Sequence, residues 1–205
     1  MKNSYQICTR CVMDTSDKNI TFDINGVCNH CLDYDERKKS LPIENKASNQ
    51  LEALVNQIKR DGNKRKYDCI VGISGGIDSS YVALLAKRWG LRVLLVHLDN
   101  GWNSELAVQN VENIVKKTGF DLYTLVINWE EFKDLQRSFF KSDVIDLELL
   151  SDHAIFATVY KLSRNYGVKY LLSGENFATE AILPASWNWR KSDAKNIKCI
   201  HEKFG

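Results

Sequence analysis

The chain has 205 residues, of which 44% are hydrophobic and 26% charged, and 28 Lys and Arg against 26 Asp and Glu leave a formal charge of +2. That composition is that of a soluble globular protein; it excludes a disordered tail and lacks the cationic excess of a nucleic-acid binder, so no nucleic-acid partner is expected. No apolar run approaches the roughly 18–20 residues of a membrane helix, and the polar Met1–Arg10 segment has no signal-peptide character, so a cytoplasmic protein without a membrane partner is expected.

In that reducing compartment six cysteines point to metal binding or catalysis rather than disulfides. Four of them form two Cys-x-x-Cys pairs, Cys8/Cys11 and Cys28/Cys31. Each pair aims two thiolates at one tetrahedral ion, so a structural zinc site is expected. Asn25-Gly26 predicts a type I′ hairpin turn that returns the second pair to the first. So small a module has almost no core, and metal binding would supply its folding free energy. His30 is expected beside the site. Residues 1–39 read as this module.

Residues 40–66 are polar and lysine-rich, with Leu51, Leu54, Val55 and Ile58 at helical spacing and Asp61-Gly62-Asn63 as a stop. They read as a connector helix. From Tyr67 the pattern alternates. Strands are predicted at Cys69–Ile73, Val93–Leu98, Leu122–Ile127 and Lys169–Ser173. Helices are predicted at Tyr81–Trp89, Leu106–Lys117, Trp129–Lys141 and Asp152–Tyr166, with Lys195–Lys203 either helix or strand. Apolar strands alternating with helices imply an α/β domain, residues 67–205, with a doubly wound parallel sheet. Cys69 is expected in its core, and Cys199 stands alone.

The segment Ser74-Gly75-Gly76-Ile77-Asp78-Ser79-Ser80 joins the first strand to the first helix of that domain. Its glycines let backbone approach an anion, and the helix start offers unpaired N–H donors. No Lys-Ser/Thr follows the glycines, so this is not a Walker A loop. Asp78 suits a helix cap or a Mg2+ ligand. The second strand ends in His97-Leu98-Asp99-Asn100-Gly101-Trp102, and the fourth in Ser173-Gly174-Glu175-Asn176-Phe177-Ala178-Thr179-Glu180. His97 suits either the core or a ligand, and Glu175 and Glu180 either helix caps or positions around Mg2+ or an acceptor.

Segment 74–80 resembles the PP-loop of the adenine-nucleotide alpha-hydrolase superfamily, the ATP pyrophosphatases. The resemblance implies the sheet order 3-2-1-4 and ATP cleaved between its alpha and beta phosphates. It implies nucleotide contacts from Gly72, Ile73, Ser74, Gly75, Gly76, Asp78, Ser79, Ser80, His97, Leu98, Asp99 and Gly174. Catalytic roles then fall to Ser74, Asp78, Ser79, Glu175 and Glu180. The ordered set Cys-Thr-Arg-Cys-Val-Met-Asp, Gly-Val-Cys-Asn-His-Cys, the PP-loop, His-Leu-Asp-Asn-Gly-Trp and Ser-Gly-Glu-Asn-x-Ala-Thr-Glu is similar to the N-acetyl sugar amidotransferase family of lipopolysaccharide and nonulosonic-acid biosynthesis. That likeness implies ATP, Mg2+ and structural Zn2+, an N-acetyl sugar acceptor such as a nucleotide sugar or a pseudaminic-type acid, and release of AMP and pyrophosphate. It also implies a glutaminase subunit and a channel-forming partner that deliver ammonia. Members of that family are longer, so a C-terminally shortened form is expected. Two other readings stand: a tRNA-thiolating PP-loop enzyme, and a nucleotide- and zinc-binding module without catalysis. Asp152-His153, Lys161, Arg164, Trp187, Trp189 and Arg190 are candidates for the acceptor pocket, with capping, packing or a solvated helix face as the alternatives.

Overall fold

The computed structural model describes residues 4–41, 44–180, 182, 184, 187 and 189–205. The start of the polar N-terminal segment (1–3) and two positions of the connector (42–43) lie outside the described residues. Two compact units divide the chain: residues 1–48 with 176–189, and residues 49–175 with 190–205.

The first unit is built around the cysteines. Isolated antiparallel bridges join Ile7 to Asp14 and Phe22 to Cys28. The second Cys-x-x-Cys pair opens helix α1 (Asn29–Lys39), which the sequence periodicity does not reveal. The hairpin turn differs from the type I′ expectation. The Asp23 carbonyl accepts from the Gly26 amide, and its side chain accepts from Asn25 and Val27 N–H. Gly26 has φ +77°, whereas Asn25 is not among the positive-φ residues. Type I′ needs positive φ at both central positions; the Asp23 side chain instead stabilises a turn that places only Gly26 in the left-handed region. Cys8, Met13, Cys28 and Cys31 form the buried centre, against which Phe22, Ile182 and Trp187 pack. Trp187 is therefore a packing residue of this unit. A short helix α2 (Phe177–Glu180) belongs to it too. The Phe177 ring stacks on Tyr34, with centroids 5.1 Å apart, beneath the Arg37 guanidinium.

The second unit is the α/β domain. Its four strands are β1 (Cys69–Gly72), β2 (Val93–Asp99), β3 (Asp121–Val126) and β4 (Leu171–Leu172). They form a parallel sheet of order β3-β2-β1-β4, as the loop resemblance implies. Strand alternation explains the two covered faces. Cys69, Val71, Val93 and Leu95 face one core, and Ile70, Leu94 and Val96 face the other. Helix α3 (Ile77–Arg88) and helix α4 (Glu105–Thr118) cover the first face with Ala83, Ala86, Val111 and Ile114. Helix α5 (Leu149–Tyr166) covers the second with Val159 and Leu162. The third strand is an exposed edge, with Leu122 and Tyr123 both more than a third accessible. The fourth pairs through two residues rather than five.

The segment read as a connector forms helix α6 (Glu44–Gly62), whose Val55 and Ile58 are buried in the first core. Helix α7 (Trp129–Lys141) and helix α8 (Ala194–Phe204) form a further cluster with α5 through Phe132, Phe139, Leu149 and Ile197. Cys69 is wholly buried, and burial pushes its thiol up to about 12. Cys199 is exposed. Among the described residues no helix is long and apolar enough to cross a membrane.

Candidate functional site

The loop after β1 is held from three sides. Ser79 Oγ lies 3.2 Å from Ser74 Oγ, donates to the Gly76 carbonyl and accepts from the Ser74 amide. Ser74 Oγ in turn accepts from the Gly76 amide. The Asn110 side chain on α4 donates to the Gly75 carbonyl at 3.0 Å. Gly75 has φ +82°, and a Cβ there would lie 2.3 Å from the Ala107 carbonyl oxygen. Only glycine lets α4 approach the loop this closely. Gly174, at the end of β4, is equally constrained: a Cβ would meet the Ser79 amide nitrogen at 2.9 Å. Its missing side chain admits the start of α3.

The loop closes one end of a cavity of about 240 Å³. Gly72, Ile73, Ser74, Ser79, His97 and Leu98 line it, so six of the predicted nucleotide-binding and catalytic residues share this space, together with the acceptor-pocket candidate Asp152. The remaining predicted nucleotide-binding and catalytic positions do not line it. Gly75 and Gly76 form the turn beneath, Asp78 and Ser80 sit in the first turn of α3, and Gly174 packs on α3. The Asp99 carboxylate accepts from the Gly101 amide and caps the 99–101 turn. Glu175 is exposed, and its amide donates to Ser173 Oγ. Glu180 belongs to the first unit, where its carboxylate accepts from the Asn176 amide at 3.1 Å.

His97 is buried, and its Nδ1 donates to the Ile73 carbonyl at 2.8 Å. That fixes the tautomer: Nε2 carries the lone pair and faces the Asn103 amide group. Asn103 also donates to the Leu98 carbonyl. His97 thus ties the β1 end to the β2 end immediately before the loop.

The far wall comes from Asp152, a candidate of the sequence analysis, and from neighbours that the sequence does not single out. Glu148, Ser151, Asp152, Ile155 and Thr158 present one face of α5, and Asn100 donates to Ser151 Oγ. Their spacing of three to four is a readable helical signal, but the helix starts at Leu149, three residues before the predicted Asp152. Asp152 accepts from Lys191 Nζ at 2.9 Å, and Asp146 does so at 2.7 Å. Lys161 and Arg164 are exposed on α5. Trp189 is exposed, and Arg190 lies with Phe156 and Tyr160 at a separate surface cleft.

In the first unit the four cysteine sulfurs lie within 4.8 Å of one another. A tetrahedral ion with bonds of about 2.3 Å sets its sulfurs about 3.8 Å apart. Here Cys11 and Cys28 are 3.7 Å apart and Cys8 and Cys31 are 4.0 Å apart, so the residues fit such an ion. One of the four thiols is held in a form that ionises readily. Burial opposes ionisation of Cys8, but amide donors from Arg10, Cys11 and Cys28 outweigh it and bring that thiol down to about 6. Burial raises Cys28 and Cys31, and a bound cation would reverse that effect. His30 is not a fifth candidate: its Nε2 pairs with the buried Asp17 at 2.7 Å. Among the described residues the cysteines are the one group of three or more such ligands that could hold an ion.

Comparison with known proteins agrees with this geometry. The family model of the queuosine biosynthesis protein QueC matches residues 68–178, which include the loop and all four strands. An uncharacterized protein of Methanocaldococcus jannaschii is 28% identical over 169 residues, 82% of this chain. The tRNA-specific 2-thiouridylase MnmA of Clostridioides difficile is 28% identical over 123 residues, 51% of this chain. The chain spans 58% and 34% of the lengths of these two relatives. The glutamine-dependent NAD+ synthetase of Acinetobacter baumannii, solved with ADP, superposes on 74% of this chain and 30% of its own, with TM-score 0.54 and 20% identity. That likeness is one of fold.

Proposed function

Because the chain belongs to the family of the queuosine biosynthesis protein QueC, among the PP-loop ATP pyrophosphatases, we propose that it uses ATP to replace a carbonyl oxygen by nitrogen. The observation that carries this reading is the cavity at the carboxyl ends of β1 and β2, closed by the 74–80 loop. In open α/β sheets that crevice is the ligand site. ATP is the substrate there. The Ile73, Leu98, Leu125 and Ile155 side chains supply an apolar slot for the base. The start of α3 faces the phosphates, with the Ser74 and Ser79 hydroxyls beside it. Mg2+ would be held mainly by those phosphates, with Asp78 in reach of the helix start.

The acceptor is an acetamido sugar, as the ordered motifs along the chain suggest. Its carbonyl oxygen attacks the alpha phosphorus of ATP, and pyrophosphate leaves onto the loop. Ammonia then adds to the activated imidate carbon. AMP departs with the former carbonyl oxygen, a proton is released, and an acetamidino group remains. No covalent enzyme intermediate is needed; the loop acts by positioning and charge stabilisation. Glu175, exposed just beyond β4, is assigned to the acceptor side. A glutaminase and a channel-forming partner supply the ammonia, and the reaction runs in the cytoplasm. The four cysteines hold a structural Zn2+ that leaves no open position for catalysis.

The test is isotopic. With an acceptor labelled with oxygen-18 in its acetamido carbonyl, the label should appear in AMP, and the sugar should lose one mass unit beyond the label. Label that stays in the sugar would refute the mechanism. The likeness to a tRNA thiouridylase favours a second reading, in which a base carbonyl is activated and sulfur enters. Sulfur-dependent AMP formation with tRNA, and none with sugars, would establish it.

A further inference from the structure

The second unit contains a larger cavity that the ATP chemistry does not use. It has about 440 Å³ and lies between the end of β3 and helices α5, α7 and α8. Ile127, Phe132, Leu135, Leu150 and Ile197 line it; Phe132, Leu150 and Ile197 are buried in the cluster joining those helices, and the partly buried Ile127 and Leu135 pack against it. The apolar floor comes from the core, and the mouth opens to solvent beside Glu131, Ala194 and Lys198. Small-molecule sites are apolar hollows of this size with a few fixed polar groups.

One polar group in the wall is fixed by a chain of contacts. His153 Nδ1 donates to the Lys191 carbonyl at 2.7 Å, and the Lys191 ammonium is clamped by Asp146 and Asp152. The imidazole is thereby oriented, with Nε2 left as a hydrogen-bond acceptor. His153 also lines the cavity. Glu131 and Lys198, both exposed, lie at its rim. Leu125 lines this cavity and the phosphate-loop cavity alike.

We propose that this cavity is a second ligand site, for a neutral bicyclic or similarly sized apolar molecule bearing one N–H or O–H donor, which His153 Nε2 accepts. The ligand sits against Leu125, on the opposite side from the nucleotide.

The experiment is a methyl and imidazole NMR titration of the zinc-loaded full chain with indole, and with benzofuran as the isostere without the donor. Indole should shift the methyls of Ile127, Leu135, Leu150 and Ile197 and the His153 ring saturably, and bind roughly three- to tenfold tighter than benzofuran. Ala194→Trp, at an exposed position on the cavity wall, should abolish both sets of shifts. Shifts that fail to saturate, that fall elsewhere in the protein, or that persist in a folded Ala194→Trp variant would overturn the site. Equal affinity for indole and benzofuran in the wild type would overturn the role of His153 without recourse to any variant.

Discussion

Gly75→Ala isolates what the glycine at the loop turn does. At φ +82° a Cβ costs roughly 1–2 kcal/mol in backbone strain. The contact with Ala107 adds to this: a Cβ 2.3 Å from a backbone oxygen must retreat by about 1 Å to reach ordinary contact. Both atoms belong to main chain, so the loop must shift relative to α4, straining the Asn110 bond to the Gly75 carbonyl. A displacement of that size in a positioning element costs on the order of 100-fold in rate, and ATP affinity should fall at least roughly tenfold. Two controls separate strain from collision. Gly119→Ala also falls at a positive φ, +69°, but a Cβ there meets nothing within 4 Å. It should lower the melting temperature by roughly 2–8 °C and leave ATP affinity intact. Gly76→Ala meets only the Ser74 hydroxyl, at 3.4 Å, and should be tolerated. ATP titration by calorimetry, with melting curves on the same samples, reads all three. Wild-type affinity in Gly75→Ala, or an equal loss in Gly76→Ala, refutes the bracing of the loop by α4.

Elemental analysis should find one zinc per chain, and chelation or Cys28→Ser should unfold the first unit, seen as loss of the Tyr34 and Phe177 stacking signals by NMR. Asp68→Ala removes a buried carboxylate that pairs with Arg92 through both oxygens and accepts the Arg92 amide. Half the Arg92 side chain is exposed, so the loss in urea unfolding should be about 1–3 kcal/mol. Burial disfavours the charged form of Lys191, but Asp146 and Asp152 outweigh it and raise its pKa. A lysine raised in the folded state contributes stability that is complete below the unfolded value of about 10.4 and is lost as pH rises through the folded value. The stability difference between wild type and Lys191→Met should therefore be flat from neutral pH to about pH 10 and shrink above it.

The sheet was legible because its physics is local. Runs such as Val93–Val96 are buried on both faces, which only a doubly covered parallel strand explains. The cysteine spacing likewise carries its own geometry. What stayed hidden depends on long-range contacts. Asn110 supports the loop from 35 residues away, and nothing around it marks that role. The α5 wall was obscured because Leu149 and Leu150 extend the helix into a segment without a clear start signal. Glu148, the residue at its N-cap, makes no capping bond. Gly174 is expected as a ligand contact, and the structure adds a reason for glycine that the sequence does not show: a Cβ there would meet the Ser79 amide. Asn25-Gly26 signals the chain reversal that the Phe22–Cys28 bridge shows; only the turn type differs, because the Asp23 carboxylate accepts from Asn25 and Val27.

The central claim is tested most directly by phosphorus NMR of the zinc-loaded protein with ATP, magnesium, ammonium chloride and a panel of acetamido sugars. The account predicts AMP and pyrophosphate in equal amounts, formed only with the sugar that gains an amidine. ADP and phosphate would contradict it.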